Sequence, residues 1–325
     1  MLAPVFSSQS VLDELSQQKT LYYMGMATCP IYGSSGSKLK ERFVLFQKGI
    51  FFFETANSSE SYEESFLILE GECEFVELDG SNQPINVRNL ESLENSSNLY
   101  ISPKSNSAFL LIIKSEAVLF FHAAYSSFSS KVKRVQDVNS IIQFDFRNFL
   151  KQSLNESIAR ESDKVFRRIN YSEVVSRNDL TRLKEHLNTG SLDRARICVH
   201  KDNESLLQEM FIAFDQSNFV TPAYHPDKDE SLMVLEGSTE IVLFDEFGNE
   251  ESRVQLEPWG NLAKKPSFLR LRKGVIHTLL VRSDYALLKE TTSGPFRGTS
   301  TVIPNWAQSV VKGDLNKVNF AEGED

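Results

Sequence analysis

Residues 64–71 read Glu-Ser-Phe-Leu-Ile-Leu-Glu-Gly, and residues 230–237 read Glu-Ser-Leu-Met-Val-Leu-Glu-Gly, a spacing of 166 residues (230 − 64). Further positions match in the same register: Glu74, Val76 and Asp79 in the first copy, and Glu240, Val242 and Asp245 in the second. Residues 115–122 also match residues 283–290, with a spacing of 168 residues. Two matches in the same order at nearly constant spacing indicate a duplicated domain.

The segments around each copy predict β-strands. They are short runs of Phe, Ile, Val and Leu, such as residues 43–46, 109–113 and 241–244. Turn-forming residues separate them, for example at 78–82 and 244–249, and this alternation is typical of strands joined by turns. We therefore predict a mostly β protein with two tandem domains, each a jelly-roll β-sandwich or barrel.

A helical pattern separates the two copies. Apolar residues recur near a 3.6-residue period after residue 139, and the set includes Phe144, Phe149, Ile158 and Val165. A second helix is predicted over residues 177–187, followed by Asn188-Thr-Gly190 as its stop signal. The predicted organisation is a first domain over residues 1–138, a helical connector over 139–190 and a second domain over 191–325.

The composition narrows the class of protein. The formal net charge is −9 and the isoelectric point is about 5.3, which argues against a nucleic-acid partner. No apolar run approaches the roughly 20 residues that cross a bilayer, so no membrane partner is expected. The three cysteines lie far apart without a CxxC pair, which favours a reducing, cytoplasmic setting.

Three residues of the second copy have the types and spacing of a metal site. His225 and Glu230 flank the polar turn Pro226-Asp-Lys-Asp229, and His277 follows a second turn at Lys273-Gly274. Two imidazoles and one carboxylate are a suitable ligand set for a divalent transition metal that keeps open positions for water or substrate. On spacing alone, the alternative is that these side chains are packed in the core or exposed to solvent and bind no metal.

The second half of the chain resembles the cupins, and more narrowly the WbuC-type cupin metalloproteins associated with bacterial surface-polysaccharide gene clusters. The resemblance covers roughly residues 171–307. It is carried by residues 194–200 (Arg-Ala-Arg-Ile-Cys-Val-His), 208–213 (Gln-Glu-Met-Phe-Ile-Ala), 221–231 (Thr-Pro-Ala-Tyr-His-Pro-Asp-Lys-Asp-Glu-Ser), 234–237, 242–245, 277–278, 290–296 and 306–307.

The resemblance implies a metal site with one ligand missing. Cupins hold their metal with a His-x-His pair, a Glu and a later His, which fall here on Ala223, His225, Glu230 and His277. Because Ala cannot bind a metal, the site retains three protein ligands for a divalent transition metal such as Zn, Mn, Fe or Ni.

The first copy lacks these ligands. The matching positions are Ser59, Glu64 and Phe109, so one carboxylate remains, while His122 matches Glu290 at a position that is not a ligand position. We expect the first copy to be a degenerate domain with a structural role, either packing on the second domain or forming an oligomer interface.

Three other residues are candidates for substrate binding or catalysis. Arg194 and Arg196 alternate along a predicted strand, so both point to one face and could bind a substrate carboxylate or phosphate. An ordinary exposed strand edge explains them equally well. Glu290 is a candidate general base beside the metal, and its alternative role is capping a turn.

These features support three hypotheses about function. The first is a metal-dependent isomerase, epimerase or related enzyme acting on a small sugar-like molecule in surface-polysaccharide metabolism. The second is a ligand-binding or assembly module without turnover, which the loss of the ligand at Ala223 favours. The third is non-haem iron oxygenase chemistry, which uses the same ligand triad. In each case we expect a homo-oligomer, taken to be a dimer.

Overall fold

The structure is a computed structural model that describes residues 5–18, 25–54, 63–92, 98–103, 108–125, 131–135, 158–160, 162, 164–168, 174–189, 192–260 and 265–310. These residues are mostly in β-strands, as the sequence predicts. The helices are α1 (Ser8–Ser16), α2 (Arg177–Thr189) and a final 3-10 helix (Asn305–Val310). No helix among the residues described is long and apolar enough to cross a bilayer.

The first copy is built on one curled sheet. After β1 (Val5–Phe6), its strands are β2 (Met26–Ile31), β3 (Leu39–Glu54), β4 (Glu64–Glu70), β5 (Glu72–Leu78), β6 (Pro84–Glu91), β7 (Asn98–Ile101), β8 (Ala108–Tyr125) and β9 (Lys131–Val135). The long strands β3 and β8 pair antiparallel along most of their length. Because β8 also pairs with β4 and β5, it forms the centre of this domain.

The second copy is a sandwich of two sheets. The chain continues through β10 (Ile158–Arg160), β11 (Val165–Arg168), β12 (Val174–Ser176), β13 (Arg194–Cys198), β14 (Leu207–Asp215), β15 (Glu230–Glu236), β16 (Thr239–Phe244), β17 (Glu250–Leu256), β18 (Phe268–Leu271), β19 (Ile276–Val281) and β20 (Tyr285–Ser293). The order of one sheet is β1-β18-β15-β20-β14-β13-β11-β10, and that of the other is β17-β16-β19. Apolar side chains from strands of both sheets, including Ile212, Val234, Ile241 and Leu288, form the core between them.

The repeated sequence marks a turn that both copies need. Gly71 and Gly237 have φ values of 88° and 74°, which favour glycine. A Cβ atom at either position would lie 2.3 Å from the carbonyl oxygen of Ala117 or 2.1 Å from that of Tyr285. These contacts join the first repeated segment to the second, so the two sequence matches meet at one turn in each domain.

The two halves exchange strands and share a core. β1, at the start of the chain, pairs with β18 of the second copy, and β12 pairs with β7 of the first. Phe43 of the first copy packs against Trp259 and Phe268 of the second, with ring centroids 5.3 and 5.8 Å apart. The first copy therefore packs directly on the second, which is one of the two structural roles expected for it.

The connector differs in part from the predicted helical pattern. The predicted second helix is present as α2, which extends to Thr189. The prediction of a helix through Ile158 and Val165 is wrong, because these residues lie in β10 and β11 and pair into the large sheet of the second copy. Their apolar sequence pattern is compatible with a strand as well as with a helix. Pairing with the edge of the large sheet selects the strand. Residues 139–157 lie outside the described residues, and the domain limits remain a prediction.

Candidate metal centre

Three segments of the second copy bring His225, Glu230 and His277 together. The Nε2 atom of His277 lies 3.1 Å from Oε2 of Glu230, and the Nε2 atom of His225 lies 3.6 Å from the same oxygen. The exposed fractions of the three side chains are 14%, 15% and 8% for His277, His225 and Glu230. The residues that the sequence predicts as metal ligands therefore form one buried cluster.

Backbone pairing explains why these side chains converge. Ala223 and His277 exchange both backbone hydrogen bonds at 3.0 Å, so the segment before His225 is held beside β19. The backbone N–H of Gly274 donates to the carbonyl of His225 at 2.7 Å, which closes the turn before β19. Glu230 is the first residue of β15, where a side chain can face the end of the barrel.

The second nitrogen of each imidazole is held by a backbone carbonyl. Nδ1 of His225 lies 2.6 Å from the carbonyl oxygen of Ser300, and Nδ1 of His277 lies 3.1 Å from that of Val275. A carbonyl only accepts, so these contacts require a proton on Nδ1. In the neutral imidazole, Nε2 then carries no proton, and its lone pair is directed at Glu230. A protonated Nδ1 held by a carbonyl and a free Nε2 lone pair are typical of metal-bound histidines.

The Glu230 carboxylate faces two imidazoles in a buried position. Its Oε2 atom is buried and has no hydrogen-bond partner among the described residues, although both imidazoles are nearby. Burial alone would raise the pKa of Glu230, but the two facing histidines lower it well below its usual range. Burial acts to lower the pKa of each histidine, and the Glu230 carboxylate overcomes it and raises both. The cluster therefore favours added positive charge, carried either by protons or by a metal ion.

The donor set fits a divalent metal ion with open positions. Ligand atoms about 2.1 Å from one ion and about 90–110° apart would lie about 3.0–3.4 Å from each other. The His277–Glu230 separation of 3.1 Å falls in this range, and the His225–Glu230 separation of 3.6 Å exceeds it. As the side chains stand, no group of three or more His, Cys, Asp or Glu residues in the described part of the chain could hold a metal ion. The two histidines and Glu230 would have to close slightly around an ion.

Glu290 lies beside this cluster. It sits on β20 directly opposite Met210 and Leu232, whose side chains belong to or pack on the interior core. Burial, followed by the negative charge of Glu230, raises the pKa of Glu290 to about 7. A carboxyl group with a pKa near neutrality can both donate and accept a proton at physiological pH, which suits a general acid–base.

Arg194 and Arg196 point to one face, as the alternation predicts. Their neighbours on β14 are Phe214 and Ile212, whose side chains form the interior core, so this face is the inside of the sandwich. The charge of Arg196 acts on Glu290, and its Nη1 atom lies 4.0 Å from the Met210 sulfur. Arg194 is farther along the strand, with Asp193 beside it. Its assignment to substrate binding remains a prediction.

Lys228 is a residue of the site that sequence reasoning missed. It lies in the polar turn before Glu230, where a lysine is expected to be solvated, yet its exposed fraction is only 8%. Burial lowers its pKa, while the charges of Glu230 and Glu290 oppose that shift. The one signal in the sequence is its position two residues before the ligand Glu230.

In the first copy, His122 takes part in a different arrangement from the one expected. Its Nε2 atom lies 2.8 Å from Oε2 of Glu64, and Nε of Arg42 donates to its Nδ1 at 3.1 Å. His122 does occupy the position of Glu290, because it faces Phe66 in the ladder as Glu290 faces Leu232. No imidazole stands at the matching ligand positions Ser59 and Phe109, but His122 reaches the Glu64 carboxylate from this other position. The first copy thus fills its site with a hydrogen-bonded triad.

Solved structures establish the fold. The chain is similar over its whole length to a variant of an oxalate decarboxylase from Bacillus subtilis, covering 86% of that chain with 9% identity and a TM-score of 0.53. It is also similar to a cupin 2 conserved barrel domain protein from Leptotrichia buccalis, with 90% of this chain and 97% of that chain covered, 8% identity and a TM-score of 0.50. The fold is therefore that of tandem cupins, as predicted.

Sequence comparison gives a narrower result. Residues 175–256 match a family described as a domain of unknown function, DUF6016. No curated protein matches the chain in sequence. The matched segment contains α2, the loop residue His225 and strand β15, which begins with Glu230, but it ends before His277 and Glu290.

Proposed function

We propose that the second barrel binds one divalent transition metal ion through His225, Glu230 and His277 and acts on a small oxygen-rich molecule. The observation that carries this proposal is the buried Oε2 atom of Glu230, which faces two imidazole nitrogens and has no hydrogen-bond partner among the described residues. A bound ion would act as a Lewis acid that polarises a carbonyl or hydroxyl oxygen of the substrate.

The reaction class that fits best is proton transfer next to such an oxygen, as in isomerisation or epimerisation. Glu290 would take a proton from the carbon beside the polarised carbonyl, because its pKa of about 7 allows it both to accept and to donate a proton. In an epimerisation the proton returns to the other face of the same carbon. In an isomerisation it is delivered to the carbonyl carbon, while the proton of the neighbouring hydroxyl moves to the carbonyl oxygen. The interior position of the site in the sandwich would exclude water from that step. The resemblance to WbuC-type cupins supports a sugar-like substrate of surface-polysaccharide metabolism and a cytoplasmic dimer.

A ligand-binding or assembly module is the second candidate, and one observation favours it. Ala223 faces the same side as His277, because directly opposed residues of an antiparallel pair project to one face, so the missing ligand belongs to this site. A three-ligand site binds metal less tightly than a four-ligand site. Non-haem iron oxygen chemistry remains a third candidate with the same residues.

Metal content tests the proposal directly. We expect about one equivalent of a transition metal after loading and dialysis, measured by elemental analysis, and less than about 0.1 equivalent in the His277→Ala variant. His186→Ala, on helix α2, is the matched control and should keep the wild-type metal content. Wild-type protein that takes up no metal, or a His277→Ala variant that retains it, would contradict the proposal.

Restoring the missing ligand sharpens the same test. Ala223→His should lower the metal dissociation constant at least about tenfold, because it adds a third imidazole, and so a fourth ligand, on the face of His277. Tyr224→His is the control, since Tyr224 pairs with Val302 and adjacent residues of a strand project to opposite faces. An equal effect of both variants would mean that the added histidine acts without reaching the site.

A further inference from the structure

Two cationic side chains near the candidate metal centre, Lys228 and Arg196, form no direct ion pair with a carboxylate among the described residues. Lys228 is nine-tenths buried, and no hydrogen bond or ion pair of its ammonium group occurs in the described part of the structure. Its nearest aromatic contact is Phe296, with Nζ 5.7 Å from the ring centroid. A buried ammonium without a partner is costly, and such groups are retained where a ligand supplies the missing charge.

Arg196 provides a second cation from another element. Its side chain lies on the inside face of β13, with Nη1 4.0 Å from the sulfur of Met210, and Met210 pairs with Glu290 across the neighbouring strands. No carboxylate forms an ion pair with it within the described residues. Lys228 acts on the same carboxyl group from the turn before β15, so the two cations approach Glu290 from different segments.

The charges of the metal-loaded site leave a positive remainder. Glu230 and Glu290 together carry at most two negative charges, and a divalent ion carries two positive charges. Lys228 and Arg196 then add two positive charges, while the Nδ1 contacts keep metal-bound histidines neutral. Asp227 is exposed on the loop, and Asp229 is already occupied by Arg270.

We propose that the second barrel recognises a small organic anion, with Lys228 and Arg196 binding its carboxylate or phosphate group while a neighbouring oxygen reaches the metal. This inference rests on the proposed metal site and adds the charge class of the substrate. Arg196 offers a planar set of donors that matches either group, and Lys228 offers a compact charge at the entrance. Phe296, which is 45% exposed, lies beside Lys228 at that entrance.

The test compares two molecules that differ mainly in charge. Lactate and propane-1,2-diol share a three-carbon skeleton with an adjacent hydroxyl group, and inorganic phosphate serves as the other anion. Calorimetric titration into metal-loaded protein should show lactate or phosphate binding at least about tenfold more tightly than the diol. The tighter anion identifies whether the bound group is a carboxylate or a phosphate.

Variants connect the binding to the two cations. Lys228→Met and Arg196→Met should each weaken anion binding about tenfold or more without changing the metal content, since neither residue is a metal ligand. Arg196→Lys keeps the charge and should recover part of the affinity. Lys273→Met removes an exposed lysine near the site and should leave affinity within about twofold.

The outcomes separate this inference from the proposed function, because metal content is measured on the same samples. Stoichiometric metal with anions binding no better than the diol would overturn the inference and leave the metal site standing. Anion binding that survives both Met substitutions would also overturn it. A protein without metal would contradict the proposed function itself.

Discussion

At the scale of single residues, the two copies surround an equivalent buried glutamate with different partners. Each has a buried glutamate at the start of the strand before the Glu-Gly turn, Glu64 in the first copy and Glu230 in the second. In the second copy two imidazoles face the carboxylate, and in the first a single imidazole does so. The partners of His122 determine its protonation state. Arg42 donates to Nδ1, so Nε2 carries the proton that it donates to Glu64.

The neutral His122 predicts a specific pH dependence of stability. Burial lowers its pKa to about 4, below the usual value of 6.5. As the pH falls below about 6.5, the unfolded chain binds a proton at this histidine that the folded protein does not bind, so stability falls and levels off below about pH 4. Between pH 7.5 and 5, wild-type protein should lose about 2 kcal/mol more unfolding free energy than His122→Gln.

Denaturant unfolding at the two pH values measures this difference. Glutamine retains a donor for Glu64 and an acceptor for Arg42 but does not titrate, so carboxylates elsewhere contribute equally to both proteins. Equal pH dependence of wild type and variant would show that His122 is not held neutral in the folded state.

Residue types and spacing suggested the three residues of the second copy that lie together, and the resemblance to cupins implied them as one ligand set. They could not predict Lys228, since a lysine in a polar turn has the same pattern whether it is solvated or folded inward. They also could not predict the His122–Glu64 contact. That pairing depends on the register between β4 and β8, which a sequence repeat matches by position and not by distance.

At the scale of elements, the first copy holds the strand that begins with Glu230. Both residues flanking Glu230 are anchored outside β15. Asp229 accepts from the backbone N–H of Ser34 at 2.8 Å, and Ser231 donates to Glu41 at 2.5 Å. Arg270 on β18 joins the two anchors, with Nη1 2.6 Å from Glu41 and Nη2 2.9 Å from Asp229. These charged side chains are fully buried, so the network is a fixed connection between the copies.

Removing the central cation should destabilise the protein and weaken metal binding. Arg270→Met leaves Glu41 and Asp229 buried without their partner, which should cost about 3–5 kcal/mol of unfolding free energy. Because the network orients the residues beside Glu230, the metal dissociation constant should rise about tenfold or more. Denaturant unfolding and metal competition with a chelator measure the two effects.

The exposed pair Lys48–Glu116 provides the control for this prediction. Its side chains are 61% and 94% exposed, so Lys48→Met should change stability by less than about 1 kcal/mol. If Arg270→Met prevents folding, Glu41→Gln keeps the shape of the network and tests the metal effect alone. Unchanged metal affinity in a folded variant would show that the network does not position Glu230.

Short apolar strands, turns and α2 were predictable at this scale because local residue types specify them. Strands β10 and β11 were not predictable in this way. An apolar pattern that suits a helix also suits a strand, and here the open edge of β13 accepts β11 as a parallel neighbour. The pairing of strands between the two copies also could not be predicted from the sequence. Val5–Phe6 is too short to predict as a strand, and it forms one only because β18 offers a partner.

At the scale of the whole molecule, the two cupin barrels behave as one packed unit. Beyond the exchanged strands, buried polar groups cross the contact between them. Glu209 of the second copy accepts from Ser65 at 2.9 Å and from Tyr100 at 2.6 Å, both in the first copy, and also from Lys289. In addition to the core between the two sheets of the second copy, aromatic side chains from both copies pack in one cluster, so the two barrels share part of their buried interior.

A shared core predicts a single cooperative unfolding transition, and Phe268 is the residue that tests it. Its ring lies 5.8 Å from Phe43, 5.4 Å from Phe121 and 5.9 Å from Phe6, all contributed by the first half of the chain. Phe268→Ala should cost about 3–5 kcal/mol, because the cavity lies between the barrels and neither can collapse to fill it alone. Both tryptophans belong to the second half and Trp259 also packs on Phe43, so their fluorescence reports the second barrel and its contact with the first. Far-ultraviolet circular dichroism reports the strands of both barrels. The two signals should change together in wild type and shift together in the variant.

Phe247→Ala, at a 76% exposed position, should leave the unfolding transition unchanged and serves as the control. If Phe268→Ala shifts the fluorescence transition while much of the circular dichroism signal unfolds independently, the barrels are separate folding units and the first copy does not stabilise the second.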